Sequence, residues 1–149
     1  MKIGIAASAI MGLAAMGTCY SLFGQSSTSR SVWDGVYTAD QANRGRALFG
    51  QECAVCHGDS LTGADEAPAL IGGAFLANWD GLTVGDLFER IRISMPANSP
   101  GKLNREKVAD ILSYLLAMNR FPAGNSELDR RTEVLKEIRI EATKPDQKK

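Results

Sequence analysis

The sequence of 149 residues carries 17 Lys and Arg against 17 Asp and Glu, and this zero formal charge excludes the basic surplus of a nucleic-acid binder. Its 44% hydrophobic and 23% charged content is that of a globular chain with room for one domain. A single histidine, His57, excludes His-rich zinc sites and iron centres built from two His and a carboxylate, and three cysteines are too few for a disulfide scaffold.

Lys2 is the only charge before Arg30, and Ile3 to Met16 is apolar or small, with Ser8 its one hydroxyl. A basic start followed by a short apolar run reads as a secretory signal, so residues 1–24 are expected to be a signal peptide or membrane anchor. Ala15 and Gly17 offer small residues at a signal-peptidase spacing, and Gly24 is an alternative cutting point. Cys19, after Met16-Gly17-Thr18, matches the box before a lipidated cysteine poorly, whereas Ile3 to Gly24 is long enough to span a bilayer uncut. Every one of these fates exports the domain that follows.

Residues 25–37 mix Ser, Thr, Gly and aromatics without helical spacing and read as a linker, with Val32, Trp33, Val36 and Tyr37 placed to pin it to the domain. Thr38 is expected to cap a first helix, with Gln41 completing a capping box. Ala42, Gly45 and Phe49 then share one face. Glycine costs a helix about 1 kcal/mol against alanine, so Gly45 points to close approach of another backbone. From Gly58 to Asn78 the composition is that of a loop. A second helix is expected from the Thr83 cap, supported by Asp86, to about Ile93, where Pro96 and Pro100 forbid its continuation. A third follows Asn104, with Val108, Ile111, Leu112, Leu115 and Leu116 as its apolar stripe, ending near Phe121-Pro122.

Residues 123–149 read as a charged, partly helical tail. Leu128, Leu135 and Ile138 give it one thin apolar stripe, Glu127 and Arg131 stand at i, i+4, and Lys144 to Lys149 look frayed. No run alternates as a strand does. The fold class expected is all-α.

The chemistry is concentrated in Cys53-Ala54-Val55-Cys56-His57. Two thiols three positions apart on a helical turn can add to the two vinyl groups of one porphyrin, and the histidine that follows is held beneath the iron. Three other readings compete. A thiol–disulfide redox site usually sits at the end of a strand, and no strand pattern is visible. A structural zinc site wants four ligands, and a chain cut after Gly24 keeps Cys53, Cys56 and His57 plus carboxylates. A plain disulfide leaves His57 unexplained.

With these residues in hand, the sequence resembles the monohaem class I cytochromes c of bacteria over about residues 38–122. Gly45 and Phe49 look like the glycine and aromatic of that family's first helix, crossing a last helix at Tyr114 and Leu115. Pro68-Ala69-Leu70 resembles the loop whose carbonyl holds the ligand histidine's other nitrogen, and Ser94-Met95-Pro96 the loop that delivers a methionine sulfur. The resemblance implies a small helical domain wrapped around one haem c, bound through Cys53 and Cys56, with His57 and Met95 as iron ligands. Met118, on the stripe of the third helix, reads as core. Trp33, Tyr37 and Trp79 are weaker candidates for the haem surroundings. Arg90, Arg92, Lys102, Arg105 and Lys107 form a basic segment around Met95 that can steer an acidic partner or be a solvated face with Glu89 and Glu106.

Two filled axial positions imply a one-electron carrier of a periplasmic respiratory chain, soluble or tethered, and no enzyme in its own right. Its partners would be redox proteins: a dehydrogenase donor and an oxidase or cytochrome acceptor. A resemblance of the Trp33, Asn78-Trp79 and Arg90–Pro96 stretches to the small cytochromes that accompany quinoprotein dehydrogenases implies an alcohol- or sugar-oxidising PQQ enzyme as donor. The alternatives are a haem enzyme or gas sensor with a displaceable sixth ligand, and a CxxC thiol–disulfide oxidoreductase.

Overall fold

The computed structural model describes residues 30–65 and 67–145; the signal or anchor segment with Cys19, and residues 146–149 of the end expected to fray, lie outside them. The elements are β1 (Arg30–Ser31), α1 (Ala39–Glu52), α2 (Ala54–His57), α3 (Gly72–Trp79), α4 (Val84–Ser94), α5 (Arg105–Met118), α6 (Thr132–Leu135) and β2 (Ile138–Arg139). Helices carry the fold, as expected, and the two short strands pair in parallel, Arg30 beside Ile138.

α1 begins where Thr38 Oγ1 accepts the Gln41 N–H at 3.2 Å. The expected reciprocal arm of the capping box is missing. The Gln41 side chain turns inward instead, donating from Nε2 to the Leu128 carbonyl at 3.1 Å and accepting the Leu128 N–H at 2.6 Å. A buried amide can satisfy a backbone donor and acceptor together, and here that wins over the cap. α4 does carry a complete box, in which Thr83 Oγ1 accepts from the Asp86 N–H while the Asp86 carboxylate accepts from the Thr83 N–H. The Thr83 hydroxyl, donating to the Asp86 carboxylate at 2.6 Å, and then the Thr83 N–H hold the Asp86 carboxyl below its usual range.

α1 crosses α5 at Gly45, and Phe49 stacks obliquely on Tyr114 with ring centroids 5.5 Å apart. Phe88, Val108, Ile111, Leu112 and Leu116 fill the centre. Burial at roughly 25 cal/mol per Å2 of apolar surface makes this the main source of stability.

Several expectations are corrected. α3 lies inside the stretch read as a loop, with Phe75 buried and 6.4 Å from Trp79. α5 stops at Met118, before the expected end near Phe121, and Met118 is 39% exposed at its last turn rather than in the core. The helix closes there, with the Arg120 N–H donating to Ala117 and the Phe121 N–H to Leu116. Glu127 and Arg131 do not pair: Glu127 meets Arg44 at 2.8 Å and Arg131 meets Asp129 at 2.6 Å, because no helix spans that stretch.

The segments flanking residues 38–122 share the core. Val32, Val36, Tyr37, Leu128, Leu135, Ile138 and Ile140 are all buried. Gly85 lets Lys136 and Thr132 approach α4, for a Cβ there would stand 2.7 Å from the Lys136 nitrogen. Among the described residues, no helix is long and apolar enough to cross a membrane.

Candidate functional site

Cys53 ends α1, its N–H donating to the Phe49 carbonyl at 2.9 Å, and opens the single turn of α2. Its own carbonyl then accepts from the N–H groups of Cys56 and His57, at 3.1 and 3.0 Å. This turn places Cys53, Cys56 and His57 on the wall of one cavity of about 420 Å3. Phe49, Ile91, Ile111 and Leu115 make its lining largely apolar, and Met95 stands in the same lining. A cavity of this size and character is that of a cofactor site.

His57 is buried, and its Nδ1 lies 2.9 Å from the carbonyl oxygen of Pro68. A carbonyl only accepts, so the proton sits on Nδ1 and the lone pair is left on Nε2. This is the arrangement that orients an imidazole for a metal. Pro68 is itself held: Gly63 leaves space where a Cβ would stand 2.5 Å from the Ala67 oxygen and 2.9 Å from the Pro68 carbonyl carbon. Met95 caps α4, its N–H donating to the Ile91 carbonyl at 2.9 Å, and its half-buried side chain lines the cavity together with Pro96, Ala97 and Asn98 that follow.

The donor set fits a covalently attached haem: two thiols, a neutral imidazole nitrogen and a thioether sulfur around an apolar slot. It fits the rival readings less well. Burial, assisted by the charges of Glu52 and Cys56, pushes the Cys53 thiol up to about 11, away from the thiolate that disulfide exchange needs. Both cysteines are free thiols. Among the described residues, no three His, Cys, Asp or Glu side chains gather as a zinc site requires.

The weaker aromatic candidates go elsewhere. Trp33 donates from Nε1 to the Glu141 carbonyl at 2.8 Å and stands edge-on to Phe121, while Tyr37 donates its hydroxyl to the Phe121 carbonyl at 2.6 Å. Trp79 packs on Phe75, and none of the three lines the cavity. Part of the basic segment is paired, with Arg92 on Glu89 at 2.6 Å and Lys102 on Glu52 at 2.6 Å. Lys102 thereby ties the segment after Met95 to the residue before Cys53. Asn119 was missed from sequence: its side-chain amide joins the loop of Pro68 to α5, and a lone Asn after an apolar stripe signals only a helix end.

Residues 40–115 match the family described as cytochrome c oxidase, cbb3-type, subunit III. A curated relative, the cbb3-type cytochrome c oxidase subunit CcoP of Azospirillum brasilense, is 31% identical over 91 residues, covering 51% of this chain and 30% of the relative. The chain thus spans about a third of the length of that relative. The crystal structure of the sulfane dehydrogenase SoxCD from Paracoccus pantotrophus aligns with a TM-score of 0.44 and 28% identity, covering 60% of this chain and 53% of that one.

Proposed function

The chain belongs to the cytochrome c family of cbb3-type oxidase subunit III, which implies a covalently bound haem c, and from that premise we propose that it is an exported single-haem one-electron carrier. The observation that carries the reading is His57, with Nδ1 committed to the Pro68 carbonyl at 2.9 Å and its ring on the cavity that Met95 also lines.

In this reading the Cys53 and Cys56 sulfurs would hold a haem through two thioethers, and His57 Nε2 and Met95 Sδ would be the donors to its iron. Bound haem supplies a one-electron change between ferric and ferrous iron. The protein does the rest. Pro68 holds the imidazole in one tautomer, and Phe49, Ile91, Ile111 and Leu115 keep water from the slot. An apolar wall and a sulfur donor would both favour the ferrous state, and with His57 and Met95 both given to the metal no position would be left there for a substrate. The protein is therefore a carrier and no enzyme by itself, although it can serve as the electron-accepting subunit of a complex.

The cytochrome domain proper is assigned to residues 38–122, with the flanking segments packed onto it. Export to the periplasm, soluble or tethered, rests on residues 1–24. Its partners are redox proteins, a dehydrogenase donor and an oxidase or cytochrome acceptor. A quinoprotein alcohol or sugar dehydrogenase as donor rests on sequence resemblance alone, and stopped-flow reduction of the ferric protein by such an enzyme tests it.

The central test is expression in a cell that matures c-type cytochromes, followed by intact mass and spectra. One haem should remain attached in acidic acetone. Met95→Ala should remove the near-infrared sulfur-to-iron band, while Met118→Ala keeps it. A colourless product with both thiols open to alkylation defeats the reading. A reduced spectrum that shifts at once under carbon monoxide points instead to an open iron and to a sensor or enzyme.

A further inference from the structure

We infer that Asn119 is a positioning residue for the His57 imidazole, acting through the loop of residues 61–72 that carries the Pro68 carbonyl. The inference rests on the ligand assignment proposed for His57.

The loop has little regular structure of its own. Among its described residues the backbone ties are few: Leu61 N–H to Gly58 O at 3.1 Å, Gly63 N–H to His57 O at 3.0 Å, the short bridge between Ala64 and Ala67, and Leu70 N–H to Leu61 O at 2.8 Å. Two side chains from outside the loop hydrogen-bond to its backbone among the described residues: His57 at Pro68, and Asn119 at its far end. Asn119 Oδ1 accepts the Gly72 N–H at 3.0 Å, and Asn119 Nδ2 donates to the Leu70 carbonyl at 3.0 Å. The same Nδ2 donates to the Leu115 carbonyl at 2.9 Å, anchoring the amide to the last turn of α5. The amide orientation follows from its partners, since the oxygen meets an N–H and the nitrogen meets two carbonyls.

Only an amide of this length serves all three groups. A carboxylate cannot donate, and a shorter hydroxyl cannot bridge. Leu70 is two residues from Pro68, so the clamp fixes the carbonyl that receives the His57 proton. That hydrogen bond sets the basicity of the ligating nitrogen, and a more basic imidazole favours ferric iron. Loss of the clamp loosens the bond and shifts the balance toward ferrous.

The test uses the haem-loaded full chain and compares Asn119→Ala and Asn119→Ser with Tyr37→Phe. Tyr37 also ties to the end of this helix region, through Phe121, but touches neither the loop nor the cavity. In spectroelectrochemical titration, both Asn119 variants should raise the ferrous-to-ferric ratio at fixed poise severalfold, up to about tenfold, since losing the direct partner of a ligating histidine typically costs 10–100-fold in metal affinity or activity and Asn119 lies one step further out. In the ferrous protein, NMR should show faster exchange of the His57 Nδ1 proton. Tyr37→Phe should change neither. Unchanged potential and exchange in the Asn119 variants, or equal shifts in all three, overturns the inference. So does loss of folding or haem uptake in both Asn119 variants, which would assign the residue to the fold alone. A wild-type protein without haem, or without a His57-ligated spectrum, instead defeats the ligand assignment.

Discussion

Gly45 of α1 faces the Asp110 carbonyl of α5 so closely that a Cβ at residue 45 would stand 1.8 Å from that oxygen. The neighbouring Arg44 grips the Asp110 side chain on both oxygens, Nε to Oδ2 and Nη2 to Oδ1, each at 3.0 Å. The crossing is therefore fixed by backbone approach and bracketed by a charged fork. Gly45→Ala gains about 1 kcal/mol of helix propensity but must separate the helices, and overpacking of about 1–3 kcal/mol or more outweighs the gain. Gly50, on the same helix, has nothing within 4 Å of its would-be Cβ. Urea denaturation should show Gly45→Ala destabilised and Gly50→Ala stabilised by up to about 1 kcal/mol; equal signs would refute the account.

What could be read from sequence was local or periodic. Thr83 with Asp86, Asn104 before α5, and Cys53-Cys56-His57 each act within one turn, so their residues declare them. Gly45 was legible because a glycine in a helical face has few other uses. α3 was hidden by its own start, where Ile71, Gly72 and Gly73 give neither a capping side chain nor helix propensity. The Gln41–Leu128 pair and the Asn119 clamp join residues far apart in sequence, and no local pattern records such a bond. The buried role of the charged C-terminal stretch is of this kind too, since Leu135, Ile138 and Ile140 become core only against α4 and the N-terminal segment.

Gln41 holds both backbone groups of buried Leu128, so its truncation leaves two polar groups without partners. Each such loss costs about 1–3 kcal/mol. Gln41→Ala should lower stability by at least about 2 kcal/mol by this reckoning, and hydrogen exchange of the Leu128 amide should accelerate more than that of the Val108 amide in α5. Unchanged exchange at Leu128 would show that the pair does not hold the segment.

Glu89 links α4 to α6. The Arg92 guanidinium, then the Thr132 hydroxyl, pull its carboxyl down to about 2 from an ordinary 4.5, against a smaller opposing effect of burial. A carboxyl depressed on folding contributes stability that is complete above its unfolded value and is lost as pH falls through the folded one. Asp129, depressed to about 2 by Arg131, adds to the same limb. Stability should therefore fall between about pH 4.5 and 2. Glu89→Gln should flatten that limb and lower stability at neutral pH, by less in high salt than in low because these groups are partly exposed. An acid limb of unchanged slope in the variant would remove Glu89 from the explanation.

The two cysteines differ before any haem is attached. Cys53 is tucked under the end of α1, and burial raises its thiol to about 11, with the negative charges of Glu52 and Cys56 adding to the effect. Cys56 is exposed on the next turn. The thiolate is the reactive form, so at pH 8 only about a thousandth of Cys53 is available to an electrophile. In the folded haem-free chain, iodoacetamide followed by peptide mapping should find Cys56 labelled well ahead of Cys53, and denaturation should remove the difference. Equal or reversed labelling in the folded chain would show that Cys53 is not shielded.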